Sequence, residues 1–146
     1  MIAIEPDGQI GDAGSIDILF PVLHGLYGED GSVQGLADVA RVRLAGCGIL
    51  GSATALDKVI AKRLFRAADL PVARSVTIRE GQVPDFAALE RELGLPLFLK
   101  PARQGSSVGV RKVSGSQEFE PALAEGFRHD RDLLAEESID GREIEF

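Results

Sequence analysis

Phe98-Leu99-Lys100-Pro101-Ala102-Arg103-Gln104-Gly105-Ser106-Ser107-Val108-Gly109-Val110 runs from an apolar strand pattern through a small polar loop into a second apolar segment. Lys100 closes the buried-looking run 96–99. The loop after it carries Gly105 and Gly109 with two hydroxyls, Ser106 and Ser107, between them. Glycines let backbone N–H groups approach an anion closely, and successive N–H groups form a concave cradle for one. A lysine beside such a loop suits a nucleotide triphosphate. Taken alone the stretch leaves a second reading open, a glycine-rich hairpin whose lysine is merely solvated.

Composition narrows the field. At 146 residues the chain is long enough for a proper core, and also short enough to be one and a half domains of something larger. Hydrophobic residues at 45%, charged residues at 27% and 17 glycines describe a soluble α/β chain with many strand-helix turns. The net charge of -7 argues against a nucleic-acid or anionic-membrane partner, since both need a basic footprint. No apolar run approaches the roughly 20 residues of a membrane span, and the start lacks a signal peptide's basic region. Cys47 is the single cysteine, which excludes a disulfide framework and fits a reducing, cytoplasmic compartment.

Outward from the central loop, the chain alternates strand and helix signals. The first fifteen residues are turn-rich and weakly patterned, as in a loop, a frayed hairpin or a cut edge. Residues 16–23 form a short apolar run that predicts a buried parallel strand delivering His24 to a loop at its carboxyl end. Gly28-Glu29-Asp30-Gly31-Ser32 then offers acids and an N-cap before Val33, Leu36, Ala37 and Ala40 at helical spacing. Residues 46–51 spell G-x-G-x-x-G, but the acid that a dinucleotide site needs about 20 residues on is misplaced. Asp69 falls where a helix should be ending, and Glu80 lies too far along. The glycines read better as a tight connection into a helix starting near Thr54, with Leu56, Ile60 and Leu64 on one face and its end at or before Leu70, ahead of Pro71. Lys58 falls in the first turns of that helix, where it opposes the macrodipole unless an anion sits close.

Residues 72–78 predict a strand and 79–82 a turn. Asp85 predicts a cap for a helix ending at Gly94. After the central loop, residues 117–128 read as an amphipathic helix burying Phe119, Leu123 and Phe127, and Leu133-Leu134-Ala135 opens a strand. It leads into Glu136-Glu137-Ser138-Ile139-Asp140-Gly141-Arg142-Glu143.

Four separated stretches point the same way: His24-Gly25 with residues 28–31 and Gln34-Gly35; Ala55-Leu56-Asp57-Lys58; Lys100-Pro101 with residues 105–109; and residues 136–143. Together they resemble the D-alanine-D-alanine ligases of the ATP-grasp superfamily, and the resemblance covers nearly everything from residue 16 onward. It implies an α/β architecture, with residues 1–57 as part of a pre-ATP-grasp Rossmann-like substrate domain. Residues 58–146 would be the N-terminal (central) α+β lobe of the ATP-grasp fold, incomplete at its C-terminal end. It also implies the joining of two D-alanines for peptidoglycan synthesis: ATP phosphorylates the first carboxylate, and the amine of the second displaces phosphate.

On this resemblance Lys58 and Lys100 contact ATP phosphates, and Gly105, Ser106, Ser107, Val108 and Gly109 fold over them as a lid. Ser106 helps orient the first D-alanine. Glu136 lies near the adenine amino group, Glu143 binds the ribose hydroxyls, and Glu137 and Ile139 complete the nucleotide set. His24 and Glu29 match the wall near the first D-alanine; their plainer readings, a strand cap and a helix N-terminal acid, stay open. ATP and D-alanine are the implied small-molecule partners. The family's Mg2+ or Mn2+ would be held by ligands outside this chain, with no metal ligand inside it, and the full-length enzyme would be a cytoplasmic homodimer.

Three departures stand beside the match. Glu137 occupies a position where many relatives carry lysine, Arg43-Leu44 stands where Pro-Tyr is common, and the family's N-terminal glycine-rich turn and glutamate have no counterpart before Ile16. Other ATP-grasp carboxylate-amine ligases, D-alanyl-D-lactate ligases and a non-catalytic nucleotide-binding half-enzyme remain alternatives, while a P-loop is excluded by the absence of its motif. With one nucleotide lobe expected to be missing, the polypeptide should bind ATP weakly and turn nothing over. Phosphate release from ATP and D-alanine by the pure protein would refute this.

Overall fold

A strand hairpin opens the computed structural model, which describes residues 2–4, 10–12, 16–82, 84–142 and 144, without the side chains of the first two segments. The chain forms two compact units, Met1–Ala53 and Thr54–Phe146. In the first, β1 (Ile2–Ile4) pairs antiparallel with β2 (Ile10–Asp12). β3 (Ile18–Leu19) runs parallel to β4 (Arg43–Leu44), with α1 (Ser32–Val39) between them in sequence. The predicted strand is therefore parallel, but it is two residues long and not buried. Phe20 and Val22 are 73% and 72% exposed, because the run leaves the ladder after Leu19 and bonds no neighbour there. On α1 the buried positions are Gln34 and Ala37, and Leu36 is exposed.

The helix expected near Thr54 starts earlier and is two helices. α2 (Ile49–Leu56) begins inside the glycine stretch, and α3 (Lys58–Ala67) follows after a single break. The cost of about 1 kcal/mol for Gly51 inside a helix is outweighed by the good formers around it. The break is Asp57, whose extended backbone and Oδ1 cap α3 by accepting from the N–H of Val59 at 2.9 Å and Ile60 at 3.1 Å. The apolar spacing runs straight through the break, which hides it from periodicity.

The second unit is a four-stranded antiparallel sheet in the order β5 (Ser75–Arg79), β8 (Asp132–Glu137), β6 (Leu97–Pro101), β7 (Arg111–Val113). α4 (Phe86–Leu93) starts at the predicted Asp85 cap, which accepts from Ala87 N–H at 3.0 Å, and stops at Gly94, whose φ of 78° suits glycine. α5 (Ser116–Phe127) completes the unit.

Strand alternation sorts the sheet into two faces. One carries Ile78, Leu97, Leu99, Val113 and Ala135, packed with Leu89, Leu93, Phe119 and Ala122 of α4 and α5. Leu123 and Phe127 lie partly buried against this core rather than within it. The other face presents Phe98 and Lys100 of β6 and Leu134 and Glu136 of β8, with Phe98 directly opposite Glu136 and Lys100 opposite Leu134. Helix α3 lies on this second face, tied there by Lys62 to Glu136 and by Arg66 to the hydroxyl of Ser75.

Leu99, fully buried on the inner strand β6, belongs to the core that α4 and α5 cover. Leu99→Ala should lower the unfolding free energy by about 2–5 kcal/mol, read as a shifted urea midpoint; a shift near zero would mean the core is not packed as described.

Candidate functional site

The polar face of the second sheet gathers charge around one carboxylate. Glu136, on β8, is flanked by Lys62 of α3 at 2.6 Å through Oε2, and its Oε1 accepts a hydrogen bond from Lys100 of β6. Its side chain is only 11% exposed. Burial works to raise its pKa, but hydrogen bonds from Lys100 and Lys62 outweigh that and hold it below the usual carboxylate range, so it is ionised. Lys100 also lies 5.7 Å from the centre of the Phe98 ring.

The register explains the meeting. β6 and β8 are antiparallel, so Lys100 sits diagonally from Glu136 on the same face, within reach of a long side chain. Lys58 and Lys62 are four residues apart on α3 and share one side of it.

Lys58, the first residue of α3, fastens the helix to the loop that leaves β6. Its backbone N–H donates to Ala102 O at 3.0 Å, and its ammonium donates to Pro101 O at 3.2 Å, to Ala102 O at 3.5 Å and to Gln104 O. Burial lowers its pKa and nearby Lys100 lowers it further, against the pull of Asp130, Glu136 and Asp57. The unfavourable macrodipole placement is thus offset by carbonyl groups.

Arg103 locks the same loop from the other side. Its guanidinium binds Asp130, reaches Asp132 at 3.1 Å and lies 3.7 Å from Asp57, while its N–H donates to Asp130 Oδ2 at 2.8 Å. Gln104 donates to His129 O at 3.1 Å. The base of the loop is fixed on each side, and beyond it the chain turns tightly. Ser106, Ser107 and Gly109 have φ values of 48°, 59° and 69°. A Cβ on Gly109 would stand 2.7 Å from the His129 ring and 2.8 Å from Pro101, so glycine is required there by space as well as by φ. Two serines in succession in the left-handed region are unusual, and such strain concentrates at functional loops. Both serines and Val108 are exposed.

Lys58, Lys100, Gly105, Ser106, Ser107, Val108, Gly109 and Glu136 therefore belong to one region of the second unit. Glu137 does not join Glu136. Alternation turns its side chain to the opposite face, where Oε1 accepts from Arg74 N–H at 2.6 Å and Oε2 from Arg74 Nε at 2.5 Å. Ile139 is exposed on the segment after β8. Glu143 lies outside the described residues.

His24 and Glu29 lie in the first unit, on the segment before α1, where Glu29 accepts from Gly25 N–H and His24 is exposed. Asp30 ties the same turn by accepting from Tyr27 N–H and Ser32 N–H, each at 2.9 Å, and these bonds lower its pKa. Among the described residues no three His, Cys, Asp or Glu side chains gather to hold a metal ion, and no helix is long and apolar enough to cross a membrane.

Sequence reasoning missed Lys62 and the Arg103 cluster. Lys62 carries one signal, its four-residue spacing from Lys58; Asp130 and Asp132, the hydrogen-bonded partners of Arg103, lie 27 and 29 residues away and carry none.

Chemically, two ammonium groups on one ionised carboxylate, with the Lys58 ammonium nearby on the loop carbonyls, stand beside a loop rich in hydroxyls and backbone N–H. That arrangement suits a polyanion such as a phosphate chain.

Comparison with known proteins agrees in scope. A family model described as the D-ala D-ala ligase C-terminus matches residues 64–146, and one described as the D-ala D-ala ligase N-terminus matches residues 3–47. The chain is 61% identical to D-alanine--D-alanine ligase A of Brucella suis across 99% of its own length and 41% of that protein. It is 54% identical to D-alanine--D-alanine ligase A of Mesorhizobium japonicum across 99% of this chain and 40% of the other. Among solved structures, the D-alanine-D-alanine ligase from Coxiella burnetii superposes with a TM-score of 0.83 at 33% identity, covering 97% of this chain and 44% of that one. The VanG D-Ala:D-Ser ligase from Enterococcus faecalis gives 0.79 at 35% identity, covering 96% and 43%. The chain thus spans about two fifths of the length of the curated relatives it matches.

Acid should loosen the loop base. Asp130 is buried, which raises its pKa, but Arg103 and the N–H groups of Asp132 and Arg103 lower it below its ordinary value. A depressed carboxylate stabilises the fold above the unfolded carboxylate range and loses that contribution as pH falls through its folded value. Stability should therefore fall below about pH 4. Arg103→Met should flatten the fall, read as urea midpoints at successive pH values, and an unchanged slope would contradict the assignment.

Proposed function

The chain belongs to the D-Ala-D-Ala ligase family, and from that premise we propose that it is the ATP-phosphate-binding part of an enzyme that joins two D-alanines. In the complete reaction the γ-phosphoryl group of ATP passes to the carboxylate of the first D-alanine. The amine of the second then attacks the resulting acyl phosphate, and inorganic phosphate leaves. Catalysis of this kind is mostly positioning and charge stabilisation.

The observation that carries the reading is the meeting of Lys62 and Lys100 on Glu136, with Lys58 on the carbonyls of the loop that leaves β6, beside the serine loop. Lys58 and Lys100 supply positive charge to the phosphates, and residues 105–109 close over them from a fixed base. Ser106, at the tip, is assigned to orient the first D-alanine. Glu136, kept ionised, accepts from the adenine amino group; Ile139 is assigned to the nucleotide set, and Glu143, by resemblance, to the ribose hydroxyls. Glu137, engaged by Arg74 on the opposite face, is left with its backbone alone to offer the nucleotide.

His24 and Glu29 are assigned to the D-alanine wall, on residues 1–57 as the substrate domain; residues 58–146 form the nucleotide lobe. The Mg2+ or Mn2+ of the family's reaction is assigned to ligands outside this chain. ATP-dependent chemistry on free D-alanine places the enzyme in the cytoplasm.

A second reading concerns the nucleophile. The likeness to a D-Ala:D-Ser ligase is comparable to that to a D-alanine-D-alanine ligase, which supports D-serine beside D-alanine as a second substrate.

Calorimetric titration with ATP tests the core of the proposal. Saturable binding, weakened about tenfold or more in Lys100→Met, is the expected result, since one charge-assisted contact to a phosphate is commonly worth more than 1.4 kcal/mol. No saturable binding by the wild-type chain would overturn it.

A further inference from the structure

Lys62 takes no part in the phosphate contacts assigned above, yet it is held more firmly than Lys100. Its ammonium lies 2.6 Å from Glu136 Oε2 and donates to Ala73 O at 2.8 Å, and its side chain is 14% exposed. Lys100 holds the other carboxylate oxygen and is 28% exposed. Its remaining contact among the described residues is the Phe98 ring. One lysine is thus anchored twice, and the other is anchored once and stands next to the loop.

A phosphate that recruits Lys100 must take it from Glu136. A buried carboxylate that loses its only counter-charge is strongly destabilised and takes up a proton. A protonated Glu136 would meet the adenine amino group with one uncharged carbonyl oxygen, a weaker acceptor than the carboxylate. The second lysine removes that difficulty. Resting on the nucleotide reading above, we infer that Lys62 is a positioning residue, the standing counter-ion of Glu136, which lets Lys100 exchange the carboxylate for a nucleotide phosphate while Glu136 stays ionised and fixed.

The charged groups that face Glu136 are few. From α3 they are Lys62 and, further off, Lys58; from β6, Lys100. On β5 its register partner is Ser75, whose hydroxyl accepts from Arg66 at 3.3 Å. Among the described residues, removing Lys62 therefore leaves Lys100 as the one close counter-charge, and removing both leaves none in contact.

The test follows the Glu136 carboxyl carbon by 13C NMR across pH in the whole chain, alongside ATP affinity by calorimetry. Lys62→Met should raise the Glu136 midpoint by about one unit or more and weaken ATP binding about tenfold. Lys62→Gln, which keeps a donor toward Ala73 O without the charge, should raise the midpoint equally, and it carries the test if the Met variant does not fold. Lys62→Arg should restore most of the affinity.

Because Lys62 acts through Glu136, Lys62→Met combined with Glu136→Gln should bind ATP no worse than Glu136→Gln alone, which a purely structural role would not produce. Additive losses, or an unmoved midpoint in both Met and Gln variants while the wild type binds ATP, overturn the exchange alone. Absence of ATP binding by the wild type overturns the nucleotide reading and the exchange with it.

Discussion

A carboxylate buried between two ammonium groups ties the second unit together. Glu136 belongs to β8, Lys100 to β6 and Lys62 to α3, so a single acid links the middle of the sheet to the helix lying on its polar face. Burying one charge is costly, and a pair seldom recovers the cost by itself. Here the apolar face of the same strands supplies the stability, through Leu97, Leu99 and Ala135 against α4 and α5. The polar face is then free to hold an arrangement that would not fold alone. Every site feature described depends on the β6–β8 register, since a slip by one residue would send Lys100 and Glu136 into the apolar layer.

The same economy governs the loop after β6. Lys58 binds it from the helix side, and Arg103 binds it through Asp130, Asp132 and Asp57. Asp57 serves twice, as the cap of α3 and as a partner of Arg103. Helix start, loop base and strand end are therefore one hydrogen-bonded knot, while Ser106 and Ser107 project beyond it in left-handed conformations. A rigid base with an exposed tip is what a closing loop requires, and Arg103, Asp130 and Asp132 join Asp57 and Lys58 of the family motif in building it.

What was legible in the sequence was local. Asp85 and Gly94 bracket α4 because caps are chosen by backbone geometry within a few residues. The apolar run 96–99 ahead of Lys100 and the run 133–135 announced the central strands for the same reason. The failures were of three kinds. Periodicity concealed the break at Asp57, since Leu56, Ile60 and Leu64 keep helical spacing across it. The extent of β3 was overestimated because an apolar run signals burial without saying what covers it. Lys62 and Arg103 needed pairing across 74 and 27 residues of chain, information that no local pattern carries. Glu137, by contrast, could have been placed once Glu136 was assigned inward, because neighbours on a strand face opposite ways.

The account rests on this polar face being where a nucleotide's phosphates bind. Amide and lysine-ammonium chemical shifts, recorded for the whole chain as a non-hydrolysable ATP analogue is added, test it most directly. Movement centred on Lys58, Lys100, Glu136 and residues 105–109 is the predicted result; movement confined to the glycine stretch at 46–51, or none at all, would contradict it.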